Sequence, residues 1–322
     1  MGADSATSAG PVEQLEQYRD ELTGYCYRML GSIYEAQDAV QDTMLRAWRA
    51  RARFEDRSGL RPWLYRIATN VCFDMLKGRS RRALPMDDAP AATGELRRGD
   101  ARGPETWIEP APDSLVLPSG DPAERAVSRE SVRLAFVAAL QHLGARQRAV
   151  LILRDVLRWR AAEVAALLGT TTDAVNSTLR RARAALPPID RDSTPSDPSA
   201  ADRDLLAAYI DAFERNDLDA LVGLLRDDAV LEMPPFELWM QGPRDIRRWL
   251  LAVGAAGQER LTPLGVNGSL AAAVYRAPEP GGRRTAFAIQ VLDIVAGRIG
   301  AIHVFVDPGL FRLFGLPVDQ AS

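Results

Sequence analysis

The chain of 322 residues is too long for one ordinary hydrophobic core, so we expect two or three domains. Its composition, 47% hydrophobic and 26% charged, is typical of a globular protein, and the sequence has no apolar run of about twenty residues that would predict a membrane segment. The start, MGADSATSAGPVEQLEQ, lacks the basic and apolar regions of a signal peptide. These features argue against membrane and secreted proteins and favour a cytoplasmic one.

The two cysteines, Cys26 and Cys72, lie far apart in helical apolar patterns, with no second cysteine or histidine nearby in sequence. This pattern predicts buried free thiols. We therefore expect no metal site and no cofactor.

The formal net charge of −3 conceals two basic segments in an otherwise acidic chain. Residues 61–83 carry six basic residues against one acidic residue, and residues 128–190 carry ten against five. Because polyphosphates respond to the local positive field rather than to the average charge, both segments are candidates for nucleic-acid contact.

Residues 11–83 predict a helical domain, with apolar residues at three- and four-residue spacing in three successive stretches. In the last stretch, Trp63, Ile67, Val71 and Met75 recur at four-residue steps. We expect this stripe to anchor the third helix on its own domain.

Residues 84–127 predict a linker, since they are rich in Pro, Gly and acidic residues and lack periodicity. A flexible coil of this length spans roughly 35 to 40 Å, which is enough to tether two separate DNA-contacting modules. Trp107, the one aromatic residue in the segment, suggests a docking contact.

Residues 128–186 predict a second helical module, which a proline-rich hinge at 187–199 separates from the rest of the chain. Within the module, residues 161–168 and 172–185 predict two helices about a turn at Gly169, the spacing of a helix-turn-helix. Val175, Leu179 and Ala182 would face inward. A solvated polar face on a helical hairpin is the alternative. The residues predicted to face DNA are Thr172, Asp173, Asn176, Ser177, Arg180 and Arg181, with Arg183 on the flank.

Residues 200–322 have a different character, in which helices are followed by segments near 260–267, 269–276, 284–295 and 298–306 that alternate or are β-branched and apolar. Turns are predicted at Asn267-Gly268 and Ala296-Gly297. The order predicts an α+β domain whose antiparallel meander forms a curved sheet around a pocket.

The strings AQDAVQDTMLRAW and RPWLYRIATNVCFDMLKGRSRR resemble region 2 of the sigma-70 family of RNA polymerase initiation factors. Together with the helix-turn-helix, the chain resembles the extracytoplasmic-function group. The resemblance implies two partners, core RNA polymerase and promoter DNA, and places the polymerase clamp helices against one polar helix face. An ordinary surface helix with intrahelical ion pairs is the alternative. The residues of that polar face are Asp38, Gln41, Asp42 and Arg46.

The same resemblance implies that the second string contacts the minus-ten element, while the helix-turn-helix contacts the minus-thirty-five element. In the family a loop ahead of this helix captures an extruded base, and Phe54 would stack on it here, unless it is a core residue. The family's linker threads toward the polymerase active centre. The predicted minus-ten residues are Phe54, Arg61, Arg66, Asn70, Asp74 and Lys77, followed by Arg79, Arg81 and Arg82 as a phosphate clamp.

The C-terminal third is similar to the SnoaL-like, ketosteroid-isomerase-like cone fold through the strings FERNDLDALVGLLRDDAV and IHVFVDPGLFRLFGLP. The expected fold class is therefore multidomain, with two all-α domains and one α+β cone. Candidate pocket residues are Tyr209, Trp239, His303 and Phe305. A core histidine is the more ordinary interpretation of His303 than a catalytic one, and no full acid–base set can be named.

We therefore predict an alternative sigma factor that performs no covalent chemistry and whose cone domain regulates activity. The cone could respond to a small-molecule ligand, or an anti-sigma protein could act on the chain. Two alternatives remain: a helix-turn-helix activator with a ligand-sensing domain, and a cone-fold isomerase or cyclase with a DNA-binding leader.

Overall fold

The computed structural model describes residues 11–51, 59–92, 99–118, 128–186, 197–253, 259–277 and 282–320. The chain divides into two compact units, and each is discontinuous in sequence. The helical unit comprises residues 1–80 and 114–190, and the C-terminal unit comprises residues 81–113 and 191–322.

The first half of the helical unit is built from four helices, and Gly31 and Gly59 lie in the second and third of the breaks between them. At the second break, Gly31 adopts a left-handed φ of 72°, which glycine reaches without steric cost. The Ser32 hydroxyl then accepts a hydrogen bond from the Glu35 amide at 3.1 Å and caps the third helix. The helices are α1 Pro11–Glu16, α2 Arg19–Leu30, α3 Ile33–Ala50 and α4 Leu60–Leu76.

Helix α4 packs through a face that the sequence pattern only partly identified. Leu64, Ala68 and Cys72 are fully buried, and the Tyr25 and Thr69 hydroxyls share a buried hydrogen bond of 2.8 Å between α2 and α4. Three residues of the predicted stripe, Trp63, Ile67 and Met75, are only half-buried. The predicted anchor was therefore wrong for these three residues. The neighbouring helices pack instead on Leu64, Ala68 and Cys72, which lie one position later along the same helix. Cys26 and Cys72 are buried free thiols, as predicted.

The second half of the helical unit contains the helix-turn-helix, whose two helices have the predicted bounds. Gly169 ends the first of them with φ 61°, and the Thr171 hydroxyl caps the second. Within the described ranges, no helix combines the length and the apolar character needed to cross a bilayer. Two one-turn helices precede this half in the chain, α5 Pro85–Asp88 of the C-terminal unit and α6 Asp113–Val116 at the boundary between the units. The helices of the second half are α7 Leu134–Gln141, α8 Ala145–Leu151 continuing as a π-helical turn Ile152–Val156, α9 Ala161–Leu168 and α10 Thr172–Ala185.

The C-terminal unit contains helices on one twisted, mixed sheet. The elements are α11 Ala200–Glu214, α12 Leu218–Gly223, β1 Leu225–Glu232, β2 Trp239–Gln241, α13 Pro243–Val253, β3 Glu259–Val266, β4 Ser269–Arg276, β5 Arg284–Val295, β6 Arg298–Phe305, α14 Leu310–Leu313 and β7 Asp319–Gln320. The strand order in the sheet is β2-β1-β6-β5-β4-β3, with β7 paired to one end of β5.

Strands β3 to β6 form the predicted antiparallel meander, with tight turns at the two predicted positions. Asn267 and Ala296 have positive φ of 53° and 51°, and each is followed by a glycine that also has positive φ, as two-residue hairpins require. The sheet as a whole is not purely antiparallel, because β1 pairs parallel to β6. That pairing places Glu232 beside His303.

The predicted linker is not structureless throughout. Its described residues up to Asp113 belong to the C-terminal unit, where they make backbone bridges to the sheet side of that unit at Ala101–Phe236 and Pro112–Val266. We call residues 81–92 and 99–113 the docked segment. The prediction of one continuous flexible tether was wrong for residues 84–92 and 99–113. Their sequence has no helix or strand periodicity, but hydrogen bonds to distant parts of the chain hold them in place. The hinge and the rest of the linker lie largely outside the described residues.

Candidate nucleic-acid interface and C-terminal cavity

Helix α10 presents a polar, basic face, and its other face is buried. Val175, Leu179 and Ala182 are buried at 1%, 5% and 0% exposure, in agreement with the prediction. The Thr171 cap bonds the Ala174 amide at 3.2 Å and fixes the start of the helix. Exposed residues on the opposite face are Thr172, Asp173, Asn176, Arg180, Arg181 and Arg183, with Ser177 half-buried beside them.

Arg183 differs from the other cations of this face because it has a firm partner. Its Nε and Nη2 donate to the two carboxylate oxygens of Asp155 at 2.8 and 2.6 Å, which joins α10 to the π-helical turn. A bidentate pair of this kind fixes the side chain's orientation. Arg180 and Arg181 are therefore the more adaptable contacts on this helix.

Helix α4 carries the second predicted DNA face. Arg66, Asn70, Asp74 and Lys77 are all exposed and follow one another at helical steps. Lys77 Nζ lies 2.7 Å from Asp74 Oδ1. The structure thus places the four residues on one accessible stripe.

The predicted polymerase face on α3 is also accessible. Asp38 and Gln41 are exposed, and Arg46 Nη2 lies 2.8 Å from Asp42 Oδ2. Arg46 also lies 3.7 Å from Asp74, so the polar faces of α3 and α4 are continuous.

Two large apolar residues on α3 were missed by the sequence analysis. Leu45 is 46% exposed and Trp48 is 37% exposed, next to the polar stripe. The Arg51 guanidinium lies 3.6 Å above the Trp48 ring. The two residues add apolar surface beside the polar stripe of α3. Leu45 and Trp48 follow Gln41 by four and seven positions, so helical spacing could have placed them on the same face.

Arg61 lies where the two helical blocks of the helical unit meet. Its Nε donates to Glu21 at 2.8 Å, and the Tyr65 hydroxyl donates to the same carboxylate at 2.9 Å. Trp159, from the loop before α9, packs on Tyr65 with ring centroids 5.0 Å apart, and the Arg61 guanidinium lies 5.4 Å from the Trp159 ring. Part of the predicted minus-ten surface is therefore occupied by the second helical block.

Two buried arginines join the same two blocks. Arg28 Nη1 donates to the Gly24 carbonyl at 2.7 Å, and its Nη2 donates to the Ser131 hydroxyl at 2.8 Å. Arg148 donates to the Gln141 side chain at 2.7 Å and to the Met29 carbonyl. Among the described residues, no carboxylate pairs with either guanidinium. Burial lowers the pKa of each arginine to about 10.

The predicted phosphate clamp is not a single cluster. Arg79 is exposed and pairs with Glu35, and Arg81 is 3.2 Å from Asp88. Arg82 is only 7% exposed, and it donates to the Trp107 carbonyl at 2.7 Å within the docked segment. Its assignment to the clamp was wrong, because its charge is used to fold this segment. Phe54 lies outside the described residues.

The docked segment is held by hydrogen bonds from both tryptophans of this region. The Trp107 indole donates to the Pro235 carbonyl at 2.8 Å, and the Trp239 indole donates to the Ala89 carbonyl at 2.7 Å. At the far end, the Asp113 carboxylate accepts from the Gly268 amide at 2.7 Å. Trp107 thus makes the docking contact that the sequence suggested.

The C-terminal unit encloses a mainly apolar cavity of about 300 Å³. Ile302 and Val304 of β6 line it, so the alternate residues His303 and Phe305 point to the other side of the sheet. The predicted pocket set was therefore right for Tyr209 and wrong for His303, Phe305 and Trp239. The aromatic and polar residues of the lining are Tyr209, Phe213, Trp249, Phe287, Arg276 and Gln290.

His303 instead forms a buried charged group with two carboxylates. Its Nδ1 is 2.5 Å from Glu232 Oε1, and its Nε2 is 3.2 Å from Asp293 Oδ2. Burial alone would lower the pKa of the imidazole, but the charge of Glu232 and the hydrogen bonds to both carboxylates outweigh it and raise this pKa to about 10. The Met86 amide of the docked segment donates to the other oxygen of Glu232 at 3.4 Å. Both ring nitrogens of His303 are thus hydrogen-bonded to carboxylates of the protein itself.

Comparison with known proteins assigns each part of this architecture. The family models of Sigma-70 region 2, Sigma-70 region 4 and the SnoaL-like domain match residues 15–82, 133–186 and 206–302. The extracytoplasmic-function (ECF) RNA polymerase sigma factor SigG of Mycobacterium tuberculosis is 48% identical over 313 residues, which cover 94% of this chain and 82% of SigG. The ECF sigma factor SigJ of the same organism is 26% identical over 96% of this chain and 95% of its own.

A solved structure shares the fold. The crystal structure of M. tuberculosis SigJ has a TM-score of 0.62 and 23% identity, covering 95% of this chain and 99% of the SigJ chain. The matches to Sigma-70 regions 2 and 4 place the chain in the sigma-70 class of initiation factors. The chain belongs to its ECF RNA polymerase sigma factors. As such it binds core RNA polymerase, recognises promoter DNA and promotes the initiation of transcription.

Proposed function

We propose that α10 contacts the minus-thirty-five element, that α4 contacts the minus-ten element, and that the C-terminal unit inhibits initiation by retaining the docked segment. The α3 surface around Gln41 and Trp48 engages the polymerase clamp helices. The chain acts in the cytoplasm, alongside the polymerase.

The exposed side chains of the two helices support the DNA contacts. Asn176 can form two hydrogen bonds with an adenine edge, and Arg180 and Arg181 can bind guanine or phosphate. On α4, Asn70 is positioned between Arg66 and Lys77 on one accessible stripe. Contacts to bases determine sequence specificity, whereas contacts to phosphates contribute affinity at any sequence.

The contacts of the docked segment carry the regulatory part of the proposal. The family's linker runs into the polymerase, whereas here the docked segment, residues 81–92 and 99–113, packs into the C-terminal unit. Both tryptophan indoles, the Ala92 and Arg102 amides at 2.9 Å, and the Asp113 carboxylate all take part. A segment held in this way is not available to the polymerase until these contacts break.

Run-off transcription with purified core polymerase tests this regulatory role. Trp107→Ala removes the indole hydrogen bond and the buried ring, so we expect several-fold more transcript at limiting sigma factor. Trp107→Phe keeps most of the packing and should give a smaller rise. Leu251→Ala, at an exposed apolar position of the same unit, is the control and should match the wild type. Unchanged or reduced output from Trp107→Ala would contradict the inhibitory role.

The DNA contacts have their own test in the same assay. Asn176→Ala should lower transcription and relax the base preference at one minus-thirty-five position by about 1 to 3 kcal/mol. Asp173→Ala on the same helix should have a smaller effect. An Asn176→Ala factor with the unaltered base preference would show that this side chain makes no base contact.

Two alternative functions are less well supported. A conventional activator would bind its promoter duplex without polymerase, which a mobility-shift assay with and without core enzyme would detect. An enzyme would need an acid–base pair, but the described residues that line the cavity include no Asp, Glu or His. A non-enzymatic regulator is the function that this lining favours.

A further inference from the structure

The cavity of the C-terminal unit has the features of a small-molecule site, and neither promoter contact nor polymerase binding uses it. Its volume of about 300 Å³ lies at the lower end of the range of ligand pockets. Aromatic rings from two helices and the sheet surround it, including Tyr209, Phe213, Trp249 and Phe287. Such walls favour a flat, apolar ligand.

The polar group on the sheet side of the cavity is a hydrogen-bonded pair. The Tyr209 hydroxyl donates to the Gln290 side-chain oxygen at 2.9 Å, and both residues are buried. Burial raises the pKa of the Tyr209 hydroxyl, so this group keeps its proton and remains the donor. With its oxygen engaged, Gln290 has its NH₂ group to offer to a ligand. A ligand that uses this group must carry a hydrogen-bond acceptor.

The cation that lines the cavity is already neutralised by a protein carboxylate. Arg276 Nε donates to Glu259 Oε1 at 2.9 Å, and the Glu259 side chain is 1% exposed. The Arg276 guanidinium also lies 3.7 Å above the Phe287 ring. A ligand carboxylate placed here would lie close to the buried charge of Glu259. A neutral acceptor meets no such repulsion.

From these contacts we infer that the cavity binds a neutral, ring-containing apolar compound of about two fused rings that carries one carbonyl acceptor. Gln290 recognises the acceptor, the aromatic walls hold the rings, and the Arg276–Glu259 pair disfavours anions. The described lining residues include no Asp, Glu or His, so we expect the compound to be bound and not converted.

Equilibrium dialysis of the full chain against three naphthalene probes tests this assignment. Methyl 2-naphthoate carries a neutral carbonyl, 2-naphthoate carries a carboxylate, and naphthalene carries no acceptor. We expect one ester molecule per chain, bound at least fivefold more tightly than either of the other two. Failure of the ester to bind, or tighter binding of the carboxylate, would overturn the assignment.

Three variants locate the bound probe. Gln290→Leu should weaken ester binding about fivefold and leave naphthalene binding unchanged, since only the acceptor contact is lost. Val304→Phe fills the cavity and should abolish binding of both probes. Gln241→Leu, at an exposed position of β2, is the matched control and should bind like the wild type.

The two cavity variants keep the test independent of folding defects. If Val304→Phe fails to fold, the difference between ester and naphthalene in Gln290→Leu still decides the result. Undiminished ester binding by a folded Val304→Phe chain would place the probe elsewhere. Because binding is measured without DNA or polymerase, its outcome is separate from that of the transcription test.

Discussion

The two units stabilise buried cations in opposite ways. Within the described residues of the helical unit, Arg28 and Arg148 hydrogen-bond only to neutral oxygens, and burial lowers the pKa of each to about 10. In the C-terminal unit, His303 lies between Glu232 and Asp293, and its pKa rises to about 10. A buried cation without an anionic partner keeps an uncompensated free-energy cost of desolvation. A buried cation paired with carboxylates is stable only while those carboxylates are present, so removing one of them is strongly destabilising. The contact between the helical blocks should therefore be easier to separate than the sheet around His303.

The largest expected effect comes from breaking the paired group. Glu232→Gln keeps the side-chain volume but removes the charge that faces His303, and should lower the free energy of unfolding of the C-terminal unit by about 3 kcal/mol. Urea denaturation of a chain labelled with 5-fluorotryptophan measures this by ¹⁹F NMR, because Trp107, Trp239 and Trp249 report on this unit. Glu237→Gln, whose carboxylate pairs with Arg102 at the surface, is the control and should cost less than about 1 kcal/mol.

The same group predicts a dependence of stability on pH. Because the folded pKa of His303 lies above the unfolded value of about 6.5, its stabilisation is complete below that value and is lost as pH rises through about 10. We expect the C-terminal unit to lose about 2 kcal/mol between pH 7 and pH 9. In His303→Gln this slope should disappear. An equal slope in both chains would show that another group titrates.

Removal of an unpaired cation should cost less than removal of a paired anion. Arg28→Met leaves no buried charge behind, so we expect the helical unit to lose about 1.5 kcal/mol, read from the fluorotryptophans at 48, 63 and 159. Arg19→Met, which removes an exposed pair with Glu16, should change stability by less than about 0.5 kcal/mol. If Arg28→Met lowers the free energy of unfolding by more than Glu232→Gln does, the expected difference between the two units is wrong.

The smallest expected loss of stability comes from removing one neutral hydrogen-bond acceptor. Ser131→Ala deletes the hydroxyl that accepts from Arg28 Nη2 and leaves the other acceptors in place. We expect a loss of about 1 kcal/mol in the helical unit and none in the C-terminal unit. The unchanged Trp239 transition in the same sample serves as the internal control.

Local signals predicted much of the fold because they depend on neighbours in sequence. The bounds of α9 and α10 follow from Gly169 and the Thr171 cap, and the hairpins follow from Asn267 and Ala296. The family resemblance assigned the two proposed DNA faces to α4 and α10, where the structure leaves Arg66, Asn70 and Asn176 exposed. It did not show that Trp159 covers Tyr65, because that contact joins segments almost a hundred residues apart.

Other features could be predicted only with knowledge of how the strands pair in the sheet. The alternation in β6 predicted that His303 and Phe305 share a face, but not which face borders the cavity. That choice depends on the parallel pairing of β1 with β6, which sets Glu232 beside His303. The docked segment could not be predicted from periodicity, since its order comes from individual hydrogen bonds such as that of Trp107. Arg82 was misassigned for the same reason.

The distance in sequence between the docked segment and its partners imposes an order on biosynthesis. The bonded residues Trp107 and Pro235 are 128 positions apart, and Asp113 and Gly268 are 155 apart. At typical rates of translation the ribosome needs roughly 6 to 30 s to make that length of chain. Both helical blocks therefore emerge while the segment between them is still unrestrained, and a chain that stops before residue 235 never acquires the restraint.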